Sequence, residues 1–390
     1  MKKVCFLVDS IFSYGGVQRV TSVIARQLSA DYDVTIVTLD RPEQEDASFY
    51  QLGETSIRYR FFAYPPTPRW KELCCKCYSL LYRKLLPQTR LTSRLYAHSS
   101  FPSEKRMALA RELADGHYDA VVGVHAPLAV RLAACRRRLP GVRLVGWIHN
   151  SYEALFGPGS LYIGPELRRH YEWQLERLDA TVVLSHYDAR RYHFPTHVVY
   201  NPLTLTPGPP SQGQSKRFLA VGRFSRRHKG FDLLIEAFRL FAEKDRDWVL
   251  DIVGEGVEEP LYRQLIADYG LQERILIHPF TDHIETYYSC AQVYVLSSRW
   301  EGFGLVLVEA MAHGLPVVSS DLPTSREIMG DFGLYFPVGD VEAMAVQLER
   351  ATQLDWQQQS RQARAIAARF RPEAIMAQWR QLLFEVRGGR

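Results

Sequence analysis

Short apolar runs alternate with longer helical patterns from the first residues of the chain. Lys3–Val8, Val34–Leu39, Ala120–Val124, Arg143–Ile148 and Ala180–Leu184 read as strands, and Gln18–Leu28 reads as a helix. The rhythm restarts at Arg217–Val221, with a helix at Phe231–Phe241 and strands at Trp248–Val253, Arg274–Ile277, Val293–Leu296 and Pro316–Ser319. Strands this uniformly apolar are buried on both faces, which predicts parallel sheets wrapped by helices. The expected fold class is therefore α/β, with two Rossmann-like, doubly wound domains. Residues 201–214 carry four prolines and two glycines and read as the connection between them. This divides the chain into a first domain over 1–200 and a second over 215–370. Ligands of such sheets bind at the carboxyl ends of the strands, so a site facing both domains is expected in a cleft.

A length of 390 residues suits two domains, and 46% hydrophobic with 23% charged residues suits a globular protein. No apolar run is long enough to span a bilayer, and the first residues turn polar too early for a secretory signal, so a cytoplasmic location is expected. Six cysteines are few for this length, and reduced thiols are expected. Cys74, Cys75 and Cys77 lack a fourth ligand at a zinc spacing, so no metal is expected there.

Charge is uneven along the chain. Residues 1–200 hold 27 basic and 19 acidic side chains, and residues 201–390 hold 21 and 24. Within 69–106, nine basic and two acidic residues interleave with Trp70, Leu73, Tyr78, Leu80, Leu81, Tyr82, Leu85 and Leu86. Such a stretch can dock on the anionic inner face of a membrane or form a helical lobe with a solvated basic face. Nucleic acid is not an expected partner, because the basic excess is too small for a phosphate-backbone binder.

The densest chemistry lies in Arg299–Asp321, RWEGFGLVLVEAMAHGLPVVSSD. A strand empties into a loop bearing Glu301, and Leu305–His313 reads as a helix bearing Glu309 and closed by Gly314. Gly302 and Gly304 bare the backbone at the helix start, where free N–H groups and the helix dipole favour an anion. Carboxylates on either side of a phosphate seat suit the hydroxyls of a ribose and a sugar, and so a nucleotide-sugar. The first strand of the second half ends in Gly222-Arg223-Phe224, with Lys229-Gly230 opening the next helix; Arg223 and Lys229 there can hold a diphosphate. After the first strand of the chain, Gly15 and Gly16 open a helix without forming a GxGxxG fingerprint. His149-Asn150 follows Arg143–Ile148 at a carboxyl end. Two DxD triplets, Asp31-Tyr32-Asp33 and Asp245-Arg246-Asp247, precede strands at the amino ends and read as turns.

These positions together resemble the retaining glycosyltransferases of family 4, with a GT-B fold and an E-x7-E motif, among them bacterial surface-polysaccharide transferases. The resemblance implies that Glu301 contacts the donor hexose and Glu309 the ribose. It places Arg223 and Lys229 on the diphosphate, Gly15 and Gly16 beside the phosphates and acceptor, and His149 near the transferred sugar. Gly302, Phe303, Gly304 and Leu305 complete the donor seat. It also implies a last helix over 371–390 that crosses back to the first domain, with Ile375, Trp379, Leu382, Leu383 and Val386 on its apolar face. Asn150 departs from the pattern, since the family's histidine is commonly followed by an acidic residue. Tyr200-Asn201-Pro202-Leu203 is similar to the junction in relatives acting on surface polysaccharides.

The expected activity is transfer of a hexose or N-acetylhexosamine, with retention, from a UDP-sugar to a hydroxyl of a glycan or lipid-linked glycan, without a metal or further cofactor. The alternatives are a UDP-sugar epimerase of the same fold, which needs no acceptor, and a catalytically silent sugar-nucleotide-binding protein.

Overall fold

The computed structural model describes residues 1–46, 48–160 and 162–384. They form two compact units, Met1–Pro202 together with the segment from Pro372 onward, and Leu203–Arg371.

The first unit is built on strands β1 (Lys3–Val8), β2 (Asp33–Thr38), β3 (Arg58–Phe61), β4 (Ala120–Val124), β5 (Arg143–Trp147), β6 (Ala180–Val183) and β7 (His197–Val198), in the order β3-β2-β1-β4-β5-β6-β7. All pairings are parallel, with Lys3 opposite Asp33 and Val4 opposite Ala120. Val4, Cys5, Phe6 and Leu7 are completely buried, as a strand covered on both faces requires. Helix α1 (Gly16–Leu28) returns the chain from β1 to β2 with Val20, Ile24 and Leu28 inward. Residues 69–106, continuous in their basic and apolar pattern, fold as α2 (Arg69–Lys84), α3 (Arg90–Ser100) and the start of α4 (Ser103–Asp115). Tyr82 and Tyr96 stack at 4.5 Å, and the Tyr78 hydroxyl donates to the Thr92 carbonyl at 3.0 Å, joining α2 to α3.

The C-terminal helix (Pro372–Phe384) belongs to this first unit. Trp379 meets Trp147 edge to face at 4.8 Å, Arg380 pairs with Asp31 at 2.8 Å, and Ile375, Leu382 and Leu383 are buried. Val386 lies outside the described residues.

The second unit has β8 (Arg217–Val221), β9 (Val249–Val253), β10 (Ile275–His278), β11 (Val293–Leu296), β12 (Val317–Ser320) and β13 (Leu334–Phe336), all parallel, in the order β10-β9-β8-β11-β12-β13. Helices α5 (Phe231–Ala242) and α6 (Leu305–Ala312) follow β8 and β11. Phe218, Phe238, Phe241 and Trp248 form an aromatic core against α5. The connecting segment is bound to this unit from Leu203 onward. Leu203 N–H donates to the Phe370 carbonyl at 2.6 Å, Gly208 N–H to His313 Nε2 at 3.2 Å, and Ser211 Oγ to the Ala291 carbonyl. Among the described residues no helix is long and apolar enough to cross a membrane.

Strands β8 and β9 end where the backbone must pass very close. A Cβ built on Gly254, whose φ is +157°, would lie 2.0 Å from the Gly222 carbonyl oxygen. Gly254→Ala should therefore destabilise the protein by on the order of 3 kcal/mol through overpacking and backbone strain. An unchanged denaturant midpoint would show that the strand ends part freely.

Candidate active site

Strands β8 and β11 are hydrogen-bonded neighbours at the place where the second sheet's strand order reverses. At such a switch point the loops leaving adjacent strands diverge and open a crevice. Lys229 follows β8 and Glu301 follows β11, so the fold brings together residues 72 positions apart, and Lys229 Nζ lies 2.6 Å from Glu301 Oε1.

Both loops are held from behind. Arg299 N–H donates to the His228 carbonyl at 2.7 Å, and Ser297 Oγ donates to the Lys229 carbonyl at 2.8 Å. The Arg299 guanidinium reaches both oxygens of Asp232 at 3.2 and 3.1 Å and also the Arg226 carbonyl, while Arg226 Nε meets Asp232 at 3.0 Å. Gly230 turns the first loop into α5 with φ +65°, in a position where a Cβ would lie 2.4 Å from the Ser297 carbonyl oxygen.

Glu301 is buried, and its two oxygens differ. Oε1 also accepts from Ser298 Oγ at 2.6 Å, and His228 Nε2 stands 3.7 Å away, its ring stacked on Trp300 at 3.8 Å and 6°. Oε2 has no donor among the described residues and is not sealed from solvent, so it is the oxygen open to a ligand hydroxyl. Burial pushes the Glu301 pKa upward, but the Lys229 ammonium and the neighbouring His228 outweigh it and hold the carboxyl well below its ordinary 4.5.

Glu309, on the inner side of α6, is buried and accepts from two hydroxyls. Thr204 Oγ1 donates to Oε1 at 3.0 Å and Tyr288 OH to Oε2 at 3.1 Å. Its carbonyl accepts from His313 Nδ1 at 2.8 Å, and because His313 Nε2 accepts from Gly208, the Nδ1–H tautomer is fixed. Burial keeps His313 below its ordinary pKa and neutral. Tyr294 feels both carboxylates: burial first, then Glu301 and Glu309, raise its pKa.

The other positions expected in the donor seat of this unit are Gly302, Phe303, Gly304 and Leu305, between the two glutamates in the chain, and Arg223 after β8. Gly304 caps α6 with φ +91°, and Phe303 packs on Phe370 at 5.8 Å. Gly302 and Leu305 are half-buried, and the amides of Leu305 and Val306 precede the first bond of α6, which Leu307 N–H donates to the Gly304 carbonyl at 2.9 Å. Arg223 is exposed and has no ion-pair partner among the described residues.

Gly15, Gly16 and His149 belong to the first unit. Gly15 precedes α1 and donates its N–H to the Tyr50 hydroxyl at 2.9 Å; Gly16 is the first residue of the helix. His149 is buried beside Trp147 at 4.1 Å and His125 at 5.2 Å, and its Nε2 has no hydrogen-bond partner in the described structure. Burial, reinforced by His125, lowers its pKa well below the ordinary value. His125 itself was not singled out from the sequence. It follows β4, beside β1 where this sheet's order reverses, and holds φ +72°, a conformation costly for a non-glycine residue. Its one legible signal is a histidine immediately after a strand.

Both DxD triplets are engaged in ion pairs. Asp31 meets Arg380, Asp33 meets Arg58 and Asp247 meets Lys216.

The family model described as Glycosyltransferase Family 4 matches residues 14–206, and that described as Glycosyl transferases group 1 matches residues 215–353. A phosphatidyl-myo-inositol mannosyltransferase of Mycobacterium leprae is 31% identical over 272 residues, 64% of this chain and 68% of the relative. The chain belongs to the family 4 glycosyltransferases. Over its full length this family 4 glycosyltransferase is also similar to the amylovoran biosynthesis glycosyltransferase AmsD of Erwinia amylovora, at 26% identity over 98% of this chain and 100% of the relative. A crystal structure of Anabaena HepE in complex with UDP and glucose matches with a TM-score of 0.74 at 20% identity, covering 99% of this chain and 100% of that one. The fold is GT-B.

The ion pair at Lys229 can be tested in this glycosyltransferase by removing one partner. Because the Glu301 pKa is depressed in the folded state, its stabilising contribution is complete above about 4.5 and is lost as pH falls toward the lower folded value. Lys229→Met leaves a buried carboxylate uncompensated and should cost about 3–5 kcal/mol near pH 7. The deficit should shrink as pH drops below 4.5, where the variant's Glu301 is neutral. A deficit that stays constant from pH 7 to pH 4 would show that the pair contributes no charge stabilisation.

Proposed function

We propose that this family 4 glycosyltransferase moves a hexose or N-acetylhexosamine, with retention, from a UDP-sugar to a hydroxyl of a glycan or lipid-linked glycan in bacterial surface-polysaccharide synthesis. The observation that carries the reading is the asymmetry of Glu301. Oε1 is fixed by Lys229 and Ser298 while Oε2 stays open, and the helix start at Leu305 follows Glu301 by four residues, so a sugar hydroxyl and a phosphate can be held by one short segment. Glu309, whose neighbours are hydroxyls, suits the ribose, because a ribose diol can replace Thr204 or Tyr288 without stranding a charge. The likeness to AmsD, an amylovoran biosynthesis glycosyltransferase, and to HepE, whose structure holds UDP and glucose, supports the polysaccharide pathway and the uridine donor.

In the proposed mechanism the bond from the anomeric carbon to the diphosphate oxygen breaks on the face where the acceptor oxygen bonds. The acceptor proton passes to the departing diphosphate. Arg223, Lys229 and the amides of Gly302, Phe303, Gly304 and Leu305 stabilise the charge that grows on that diphosphate, in place of a metal. Lys229, already on Glu301, then bridges donor sugar and leaving group. The acceptor reaches the enzyme at an anionic membrane surface on its cytoplasmic side, through the basic and apolar residues of 69–106.

A panel of radiolabelled UDP-, GDP- and ADP-sugars, screened for binding and slow hydrolysis, tests the donor assignment. One UDP-sugar should bind best, and Glu309→Ala should weaken UDP itself by about 1–3 kcal/mol. Conversion of the donor to an isomer without acceptor would make the protein an epimerase, and unaltered UDP affinity in a folded Glu309→Ala variant would remove the ribose role.

Arg223→Ala should lower turnover at saturating donor by on the order of a hundredfold, because the guanidinium stabilises charge that develops only as the diphosphate leaves. Full recovery of rate at high donor concentration would reduce Arg223 to a ground-state contact.

A further inference from the structure

The first unit contains a cavity of about 820 Å³ formed by α2, the end of α3 and the start of α4, away from every residue assigned above to donor chemistry. Its lining includes Lys84 and Lys105, which have no ion-pair partner among the described residues, and the hydroxyls of Thr67, Ser79 and Ser100. Thr67 Oγ1 is buried with no hydrogen-bond partner in the described structure. The lining carboxylates are both occupied, Glu166 by Arg83 at 2.5 Å and Glu72 by Lys76 at 2.8 Å. The cavity thus presents two ammonium groups outside direct ion pairs, Lys105 within electrostatic reach of Glu72, together with hydroxyl donors, a combination suited to a phosphate ester.

Beside it, α2 shows an apolar face with nothing packed on it. Trp70, Leu73, Cys77 and Leu81 follow one another at i, i+3, i+7 and i+11 and share one side of the helix. Trp70 is 70% exposed, Leu73 64% and, just past the helix end, Leu85 77%. A second copy of the chain is a poor occupant, because a two-fold contact with parallel α2 helices would set Lys84 and Arg83 against their own counterparts, and an antiparallel one centred on this face would set them against the Arg69 end of the other helix. A soluble glycan would leave the leucines in water. A lipid answers both features, with an anionic head and an apolar body.

We propose that this cavity seats the phosphate-bearing head group of an anionic glycerophospholipid of the bilayer, while the Trp70–Leu81 face of α2 enters the acyl boundary. The proposal rests on the reading of 69–106 as a membrane-facing surface and adds a defined, saturable site to it. Lys84 and Lys105 hold the phosphate, and Thr67 and Ser100 hold its ester or glycerol oxygens.

The test uses the full chain and short-chain lipid below its micelle concentration, so that no bilayer charge is present. Dihexanoyl phosphatidylglycerol should bind saturably, at least tenfold tighter than dihexanoyl phosphatidylcholine, in calorimetric titration. The double variant Lys84→Ala/Lys105→Ala should lose at least tenfold in that affinity, whereas Arg90→Ala/Arg94→Ala, on α3 outside the cavity, should stay within twofold. Trp70→Ala should reduce co-sedimentation with phosphatidylglycerol vesicles without altering binding of the monomeric lipid. Absence of monomer binding while vesicles are still bound, or equal losses in the two double variants, would overturn the site yet leave the diffuse membrane attraction intact. Absence of binding to vesicles as well would remove both. Tighter binding of inorganic diphosphate than of phosphatidylglycerol, lost in Lys84→Ala/Lys105→Ala, would reassign the cavity to a diphosphate and overturn the bilayer-lipid occupant. So would a dimer in sedimentation velocity that Trp70→Ala dissociates. Donor binding and slow donor hydrolysis should be unchanged in all these variants, so their result is independent of the donor assignment.

Discussion

Everything in the second unit's site depends on placing a lysine and a glutamate, both shielded from water, in contact at the ends of two neighbouring strands. Removing either charge from water alone costs several kcal/mol, so each position is tolerable only because the other is filled. That constraint propagates outward. The Lys229 stem must lie across Gly222, where a Cβ would come within 2.9 Å of it, and Gly230 must take a left-handed turn under the Ser297 carbonyl. The Arg299–Asp232 pair then ties the backs of the same two loops together, so the carboxylate stands on a braced base. The exposed Arg223, by contrast, is free of such ties and can move to a phosphate without breaking an existing pair.

The two glutamates of the motif are physically unlike despite their proximity to the same Tyr294 ring. Glu301 is compensated by the Lys229 ammonium, whereas Glu309 accepts from the hydroxyls of Thr204 and Tyr288. A carboxylate held by a cation remains ionised and strongly accepting whatever approaches its open oxygen. One held by hydroxyls can exchange them for a ligand diol at little net cost, since hydrogen bonds of the same kind are broken and made. The segment that joins the two units takes part in this difference. Thr204 lies four residues before Gly208, whose N–H sets the His313 tautomer, so one short strap supports the Glu309 side chain and its carbonyl together.

Most of this architecture was legible in the sequence because parallel strands buried on both faces leave unbroken apolar runs. The ten strands read that way are all present, displaced by at most a residue or two at their ends. The three that were not read fail for physical reasons. β3 alternates charge with aromatic residues at one edge of the first sheet, β7 is two residues long at its other edge, and β13 is three residues at an edge of the second sheet. Glu301, Glu309, Lys229 and the glycines of the α6 start were visible because their chemistry is local in sequence. Ser298, Thr204, Tyr288 and His125 were not. A serine, a threonine or a tyrosine carries no signal until the fold brings it to a carboxylate, as Thr204 is brought across 105 positions to Glu309. The proline and glycine content of 201–214 correctly suggests irregular backbone, but composition cannot say that Gly208 and Ser211 are bonded into the second unit.

The one departure from the family pattern, Asn150 in place of an acidic residue, agrees with the state of its neighbour. His149 is buried against Trp147, which is itself wedged on Trp379, and the imidazole of His125 stands 5.2 Å away. Both surroundings disfavour the charged form, and no carboxylate stands at position 150 to restore it. A neutral imidazole keeps one acceptor and one donor nitrogen, whereas an imidazolium has only donors. If His149 meets the transferred sugar, as the resemblance implies, it can accept a hydroxyl proton as well as donate one. Under the proposed function it would then orient the sugar through hydrogen bonds rather than through charge.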